Sequence, residues 1–186
     1  MRTELLLLGV LSLVAAGCRQ DMHDQPKYIP LRGSEFFGDD RSARPLVPNT
    51  VARGQLHDDA LLYTGKIDGE NATVFPFPVD AAVMARGRER YDIFCAPCHG
   101  RTGAGDGMIV RRGYPTPPTF HSDRMRNASV GHLFDVTTNG SGKMPGYAPQ
   151  IPARDRWAIA AYVRALQLSA HAGLADVPES RRGALQ

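Results

Sequence analysis

The chain has 186 residues, 42% of them apolar, which suits one modest domain with appendages. A formal net charge of +3, with no basic run interleaved with aromatics, gives no footing for nucleic-acid binding. Fourteen prolines and 19 glycines mark part of the chain as irregular.

Residues 1–17 read as a signal segment of the lipoprotein type. Arg2 supplies a short basic start, diluted by Glu4, and the apolar stretch Leu5–Ala16 is interrupted by Gly9 and Ser12. A membrane-spanning helix needs about 20 apolar residues, so this stretch is too short to span. It ends in Ala15-Ala16-Gly17-Cys18, small residues followed by a cysteine, as in a bacterial lipobox, although Leu is commoner where Ala15 stands. Cys18 is therefore the expected lipidation site, holding the exported protein on the periplasmic face of the cytoplasmic membrane; two or more acyl chains make a stable anchor where one does not. Three cysteines exclude an even disulfide framework, and lipidation of Cys18 leaves Cys95 and Cys98 as a pair.

Residues 18–78 form an expected extended arm. Six prolines between Pro26 and Pro78 remove donors and break helices. Yet Tyr28, Phe36, Phe37, Tyr63, Phe75 and Phe77 are more aromatic residues than a disordered tether needs. Two readings stand: an arm that buries aromatics against a partner, or a flexible tether. The charge divides at the same place. Residues 80–169 hold 12 Lys/Arg against seven Asp/Glu, and residues 19–79 hold seven against nine, so the basic side is either a docking patch or an ordinary solvated face.

Periodicity begins at Asp80, an N-cap candidate. Val83, Gly87, Tyr91 and Phe94 follow at helical spacing and predict a helix that delivers the chain to Cys95. Gly100 to Phe120 is a Gly/Pro-rich loop. A second helix is predicted from Ser129 to about Thr138, with Gly140 just past its end. A loop carrying Gly142, Met144, Pro145 and Gly146 comes next. A third helix opens with Pro152 and runs to about Leu168, with Trp157, Ile159, Tyr162 and Val163 on its apolar side. The tail, 170–186, is polar, and no segment reads as a strand.

Cys95-Ala96-Pro97-Cys98-His99 has the spacing of haem c attachment. The two thiols add across the two porphyrin vinyl groups, and the histidine that follows lies under the ring and ligates iron. A thioredoxin-like redox pair would sit at a strand-to-helix junction, which the flanking pattern lacks, and a zinc site would need two more ligands at matching spacing. The expected cofactor is one covalent haem c. Electron transfer alone calls for a sixth ligand, and a thioether favours the ferrous state. Met144, in a glycine-rich loop between the second and third helices, is the expected axial ligand; Met108, Met125, His121, His132 or an open position are the alternatives. Trp157 and Tyr114 either donate to haem propionates or pack. His99 is expected to give its other ring N–H to a carbonyl, with Pro115, Pro117 and Pro118 in reach along the loop.

Residues 79–169 resemble a class I cytochrome c domain. Gly87 stands eight residues before Cys95 and Tyr91 four before it, and in that family these positions meet an apolar-x-x-aromatic pair on the terminal helix, here Ile159 and Tyr162. The resemblance implies an all-α fold, three main helices around one haem c, behind the irregular arm. The whole mature chain is similar to a narrower family, the lipid-anchored monohaem cytochrome c subunit of bacterial alternative complex III. Met22-His23-Asp24-Gln25-Pro26-Lys27, Ser42-Ala43-Arg44-Pro45 and Thr50-Val51-Ala52-Arg53-Gly54 carry that likeness in the arm. Gly87-Arg88-Glu89-Arg90-Tyr91-Asp92 and Ile151-Pro152-Ala153-Arg154-Asp155-Arg156-Trp157-Ala158 carry it in the domain.

That likeness implies an electron-carrier subunit, not itself an enzyme, in a membrane-bound quinol-oxidising respiratory complex. Its implied partners are a multihaem cytochrome, an iron–sulfur subunit and quinol-binding membrane subunits, with a terminal oxidase or soluble carrier as acceptor. A free-standing membrane-tethered shuttle is the second reading. Haem catalysis or gas sensing at an open sixth position is the third.

Overall fold

The structure is a computed structural model describing residues 25–185. The expected signal segment, Cys18 and the Met22–Asp24 part of the arm motif lie outside the described residues. The chain divides after Gln55 into two compact units.

In the first unit, residues 25–55 form turns around one isolated antiparallel bridge, Gly33 to Arg41. The Ser42 hydroxyl closes the turn by donating to the carbonyls of Ile29 (2.5 Å) and Arg32 (2.7 Å). The Phe37 ring lies edge-on to Phe36 at 5.0 Å, and the Arg44 guanidinium sits 4.1 Å from its centroid. Local hydrogen bonds and one cation–π contact thus give shape to a stretch whose prolines forbid helix.

The second unit, residues 56–185, is helix-rich. A short helix α1 (Ala60–Thr64) is capped by the Asp59 carboxylate, which accepts from Leu62 N at 2.9 Å, and it closes on Gly65 at φ +73°. A two-stranded ladder, β1 (Lys66–Ile67) with β2 (Glu70–Asn71), turns through Asp68 and Gly69 at φ +51° and +85°. Two successive positive φ values define the type I′ hairpin, which favours Asp-Gly. Residues 56–78, counted with the arm on sequence grounds, lie in the same unit as the long helices.

The three predicted helices are present. Helix α2 (Ala81–Phe94) starts at Asp80, whose carboxylate accepts from Val83 N. A short turn α3 (Ala96–His99) follows directly, then α4 (Met108–Arg111) and α5 (Asp123–Asn127). Helix α6 (Val130–Asn139) starts at Ser129, whose hydroxyl accepts from His132 N. The long α7 (Ala153–His171) starts after Pro152 and runs three residues past the predicted Leu168. In the tail, α8 (Glu179–Arg182) lies between two 3-10 turns.

The expected absence of strands is corrected at two places, β1–β2 and the ladder β3 (Gly140–Ser141) with β4 (Met144–Pro145). Two-residue strands carry no detectable alternation, so only their turn residues could announce them.

Helices α2 and α7 cross at Gly87. A Cβ there would collide with the Ala158 carbonyl oxygen and lie 2.7 Å from its carbon and 3.1 Å from Tyr162 Cβ. Tyr91, one turn on, meets Tyr162 edge-to-face at 5.3 Å, and its buried hydroxyl donates to the Gly100 carbonyl at 2.7 Å. At the solvent side of the crossing the Arg86 fork binds Asp155 bidentately at 2.9 and 2.7 Å. The expected meeting of Gly87 and Tyr91 with the Ile159/Tyr162 side of the last helix is what the packing delivers.

Trp157 is fully buried, stacked on Phe134 at 4.6 Å, and its indole N–H donates to the Leu62 carbonyl at 2.9 Å. It locks α1 beneath α7 and α6. Of the two roles weighed for Trp157, this geometry favours packing, since its indole N–H is engaged inside the fold.

Candidate functional site

Helix α2 ends at Phe94 and hands the chain to the tight turn that carries Cys95, Cys98 and His99 on one side. Backbone hydrogen bonds hold that turn: Cys98 N and His99 N both donate to Cys95 O, at 3.1 and 2.8 Å. The following loop is stitched back onto it, with Gly105 N donating to His99 O at 2.8 Å and Gly107 N to Cys98 O at 3.1 Å. Gly107 permits that approach, since a Cβ there would lie 2.6 Å from the Cys98 carbonyl carbon.

Two adjoining cavities, about 210 and 470 Å³, open beside the turn. Each is lined by Cys95, His99, Pro117, Pro118, Ser141 and Met144. The first reaches inward against Leu133, Ile159 and Val163, and the second outward past Cys98, Tyr114 and Tyr147. Their joint size lies in the range of roughly 300–1,000 Å³ usual for cofactor sites, and their walls are mainly apolar.

His99 stacks face-on against Phe120, centroids 4.6 Å apart with 12° between planes. Burial holds its conjugate acid down to about 4, so the imidazole is neutral near pH 7 and keeps a lone pair for a metal. The expected carbonyl partner for Nδ1 is not found: that nitrogen is buried without a hydrogen-bond partner, although Pro117 and Pro118 line the same cavities. Burial, and then the neighbouring Cys98, push the Cys95 thiol up to about 12. A redox or nucleophilic cysteine needs its pKa lowered, so this environment disfavours a thioredoxin-like pair. Among the described residues no cluster of three His, Cys, Asp or Glu side chains suits a metal ion.

The cleft suits a haem. Two thiols, separated by two residues in the chain, lie along an apolar cleft. A neutral, buried imidazole with an orphaned nitrogen stands beside them, and a thioether reaches the same cleft; the residues present fit the group.

The other predicted residues separate clearly. Met144 on β4 lines both cavities, whereas Met125 lines only the inner one and Met108 is 55% exposed beside Asp92 and Arg101 in a different depression. His132 borders the inner cavity; His121 borders neither, and its Nε2 lies 2.7 Å from the Thr102 carbonyl. Tyr114 borders the outer cavity, and its hydroxyl donates to the Lys143 carbonyl at 3.0 Å. Of the two roles weighed for Tyr114, this contact favours one within the protein over donation to a propionate.

Sequence reasoning missed Phe120, Arg124 and Thr137. Phe120 is the aromatic in the proline-rich loop that faces His99, and its place after Pro117-Pro118-Thr119 was the available signal. Arg124 and Thr137 add polar groups to an inner cavity with no carboxylate in its lining.

Residues 82–163 match the family model described as cytochrome c oxidase, cbb3-type, subunit III. That match supports a cytochrome c over this segment of the chain. The curated Cbb3-type cytochrome c oxidase subunit CcoP of Azospirillum sp. (strain B510) is similar at 28% identity over 151 residues, covering 81% of this chain. The chain spans 45% of that relative's length. A solved chain of the reducing HAO-like protein complex of Kuenenia stuttgartiensis superposes with a TM-score of 0.44 at 24% identity, covering 57% of this chain and 53% of that one. Cys95, Cys98 and His99 stand within the matched segment.

Proposed function

We propose that this chain is an exported electron carrier in which one haem is held by thioethers to Cys95 and Cys98, with His99 and Met144 as axial ligands. The observation that carries the reading is the shared cleft, where both cysteines, the neutral imidazole and the thioether meet. Haem bound there supplies a one-electron ferric/ferrous couple. The protein's part is to orient and to exclude water. The α3 turn fixes the two thiols and the imidazole relative to one another, and Phe120 restrains the imidazole plane. Leu133, Ile159, Ala160 and Val163 form a dry inner wall, which raises the cost of the more highly charged ferric state. If His99 and Met144 both hold the iron, no position would be left for a substrate there, which would make the chain a carrier rather than a catalyst.

The finer reading is that the chain serves as the lipid-anchored subunit of a quinol-oxidising respiratory complex of the alternative complex III type. The family resemblance supports it; similarity to a chain named as an oxidase subunit supports only the coarser part, a place in a respiratory complex. The arm supports it independently. Within residues 25–55, Leu31 is fully exposed, Phe36 is 79% exposed, and Leu46, Val47 and Val51 are exposed as well. Apolar side chains left exposed on so short an irregular segment fit a surface that a partner would cover. Purification of the native protein from membranes is expected to bring down multihaem and iron–sulfur subunits in fixed proportion. Recovery of this chain alone under mild detergent would favour the free-standing shuttle.

Cys18 carries the anchor in this reading. Among the described residues no helix is long and apolar enough to cross a membrane. Cys18→Ser is expected to move the protein to the soluble fraction in cells lacking the partner subunits. Full membrane retention of that variant would rule out the anchor.

A further inference from the structure

The segment that carries Met144 is fastened almost entirely from one side. Its ladder pairs Gly140 with Pro145 and Ser141 with Met144, and Tyr147 N donates to Thr137 O at 2.9 Å, tying the hairpin to the end of α6. Gly142, at φ +58°, takes the turn position. Among the described residues, the one hydrogen bond reaching this hairpin from the opposite wall comes from Tyr114, whose hydroxyl donates to Lys143 O.

Tyr114 belongs to the other half of the cleft. Its amide donates to Ile109 O at 3.2 Å, just after α4, and α4 begins at Gly107, whose amide is bound to Cys98 O. A continuous hydrogen-bonded path therefore runs from the Cys98–His99 turn through α4 to Tyr114, and across the mouth of the outer cavity to the residue preceding Met144. The ring is 44% exposed, so little packing fixes it, and the hydroxyl contact is its main tie to the hairpin.

We infer that Tyr114 is a positioning residue that latches the Met144 hairpin across the cleft mouth and holds the thioether over the haem, resisting its displacement by outside ligands. The inference rests on the reading of Met144 as the iron ligand. A hairpin with a two-residue ladder is a low-stability element that opens easily, and a hydrogen bond made only in the closed state shifts its population toward closure. An exogenous ligand must wait for the open state, so its apparent affinity rises when the latch is removed.

The test is a titration of the ferric holoprotein with imidazole, following the shift of the main haem (Soret) absorbance in every variant and, where Met144 is present, loss of the methionine–iron absorbance at the red edge of the spectrum. Four proteins are compared: wild type, Tyr114→Phe, Met144→Ala and the double variant. Tyr114→Phe keeps the ring and removes only the hydroxyl, so the fold is preserved. It is expected to bind imidazole roughly three- to tenfold more tightly than wild type, as loss of one neutral hydrogen bond dictates. In the Met144→Ala background the same change is expected to have no effect, because no thioether remains to be held. Unchanged imidazole affinity of Tyr114→Phe would overturn the latch while leaving Met144 as the ligand. An equal gain in both backgrounds would also overturn it, showing a screen over the cavity rather than a latch. A wild type that lacks the absorbance and binds imidazole as tightly as Met144→Ala would overturn the ligand assignment, and the latch with it.

Discussion

Met144→Ala is expected to abolish the methionine–iron absorbance, open the iron to carbon monoxide in the reduced protein, and lower the midpoint potential. A thioether stabilises ferrous iron, and its replacement by water or hydroxide favours the ferric state. The shift is expected to be at least tenfold in the ferric-to-ferrous ratio at fixed ambient potential, about 59 mV for a one-electron couple. The helices and the Cys95–His99 turn do not depend on the Met144 side chain, which is half-buried on a hairpin of two-residue strands, so the variant should still fold and attach haem. Survival of the absorbance would transfer the ligand role to Met125, the other methionine bordering the inner cavity.

Gly87→Val is expected to be the most damaging single change in the helical framework. The new side chain would drive Cβ into the Ala158 carbonyl and crowd Tyr162 Cβ, which lies 3.1 Å from the Cβ position. Backbone on both sides of the crossing leaves no flexible side chain to yield. Overpacking costs about 1–3 kcal/mol where neighbours can shift, and here about 3 kcal/mol or more is expected. Total stabilities of small domains run only about 5–15 kcal/mol. Separation of α2 from α7 would also pull Tyr91 off Gly100 and loosen the turn that presents His99. Denaturant unfolding of the holoprotein checks this. A valine variant within 0.5 kcal/mol of wild type would mean that the crossing does not require glycine.

The helices were legible because each starts with a local signal. Asp80 and Ser129 both prove to be N-caps whose side chains accept from the third residue of the helix, and Pro152 stands immediately before α7. The cysteine and histidine positions were legible for the same reason, since five consecutive residues carry their chemistry. Met144 was narrower ground: its glycine-rich setting pointed to a loop, and the cleft that it borders comes only from the fold.

What escaped was non-local. The partner of Trp157 is the carbonyl of Leu62, 95 positions away, and no periodicity ties the two together. Residues 56–78 read as arm because they show little periodicity and end in Pro76 and Pro78, yet Ala72 and Leu62 join the Trp157–Phe134 cluster. The acceptor for Tyr114 is a backbone carbonyl 29 positions on, invisible to any motif. The β1–β2 hairpin did leave a trace, the Asp68-Gly69 pair, overlooked because its strands are too short to alternate.

Electron transfer by this chain requires a porphyrin bonded to Cys95 and Cys98. Intact-mass measurement of the mature protein from its own membranes, with a pyridine haemochrome spectrum, tests that bond directly. The expected result is the mass of one haem retained after denaturation, with the haemochrome of two saturated vinyl positions, and loss of both when Cys95 and Cys98 are replaced by serine. A native polypeptide with no added haem mass and no haemochrome would contradict the assignment of this cleft.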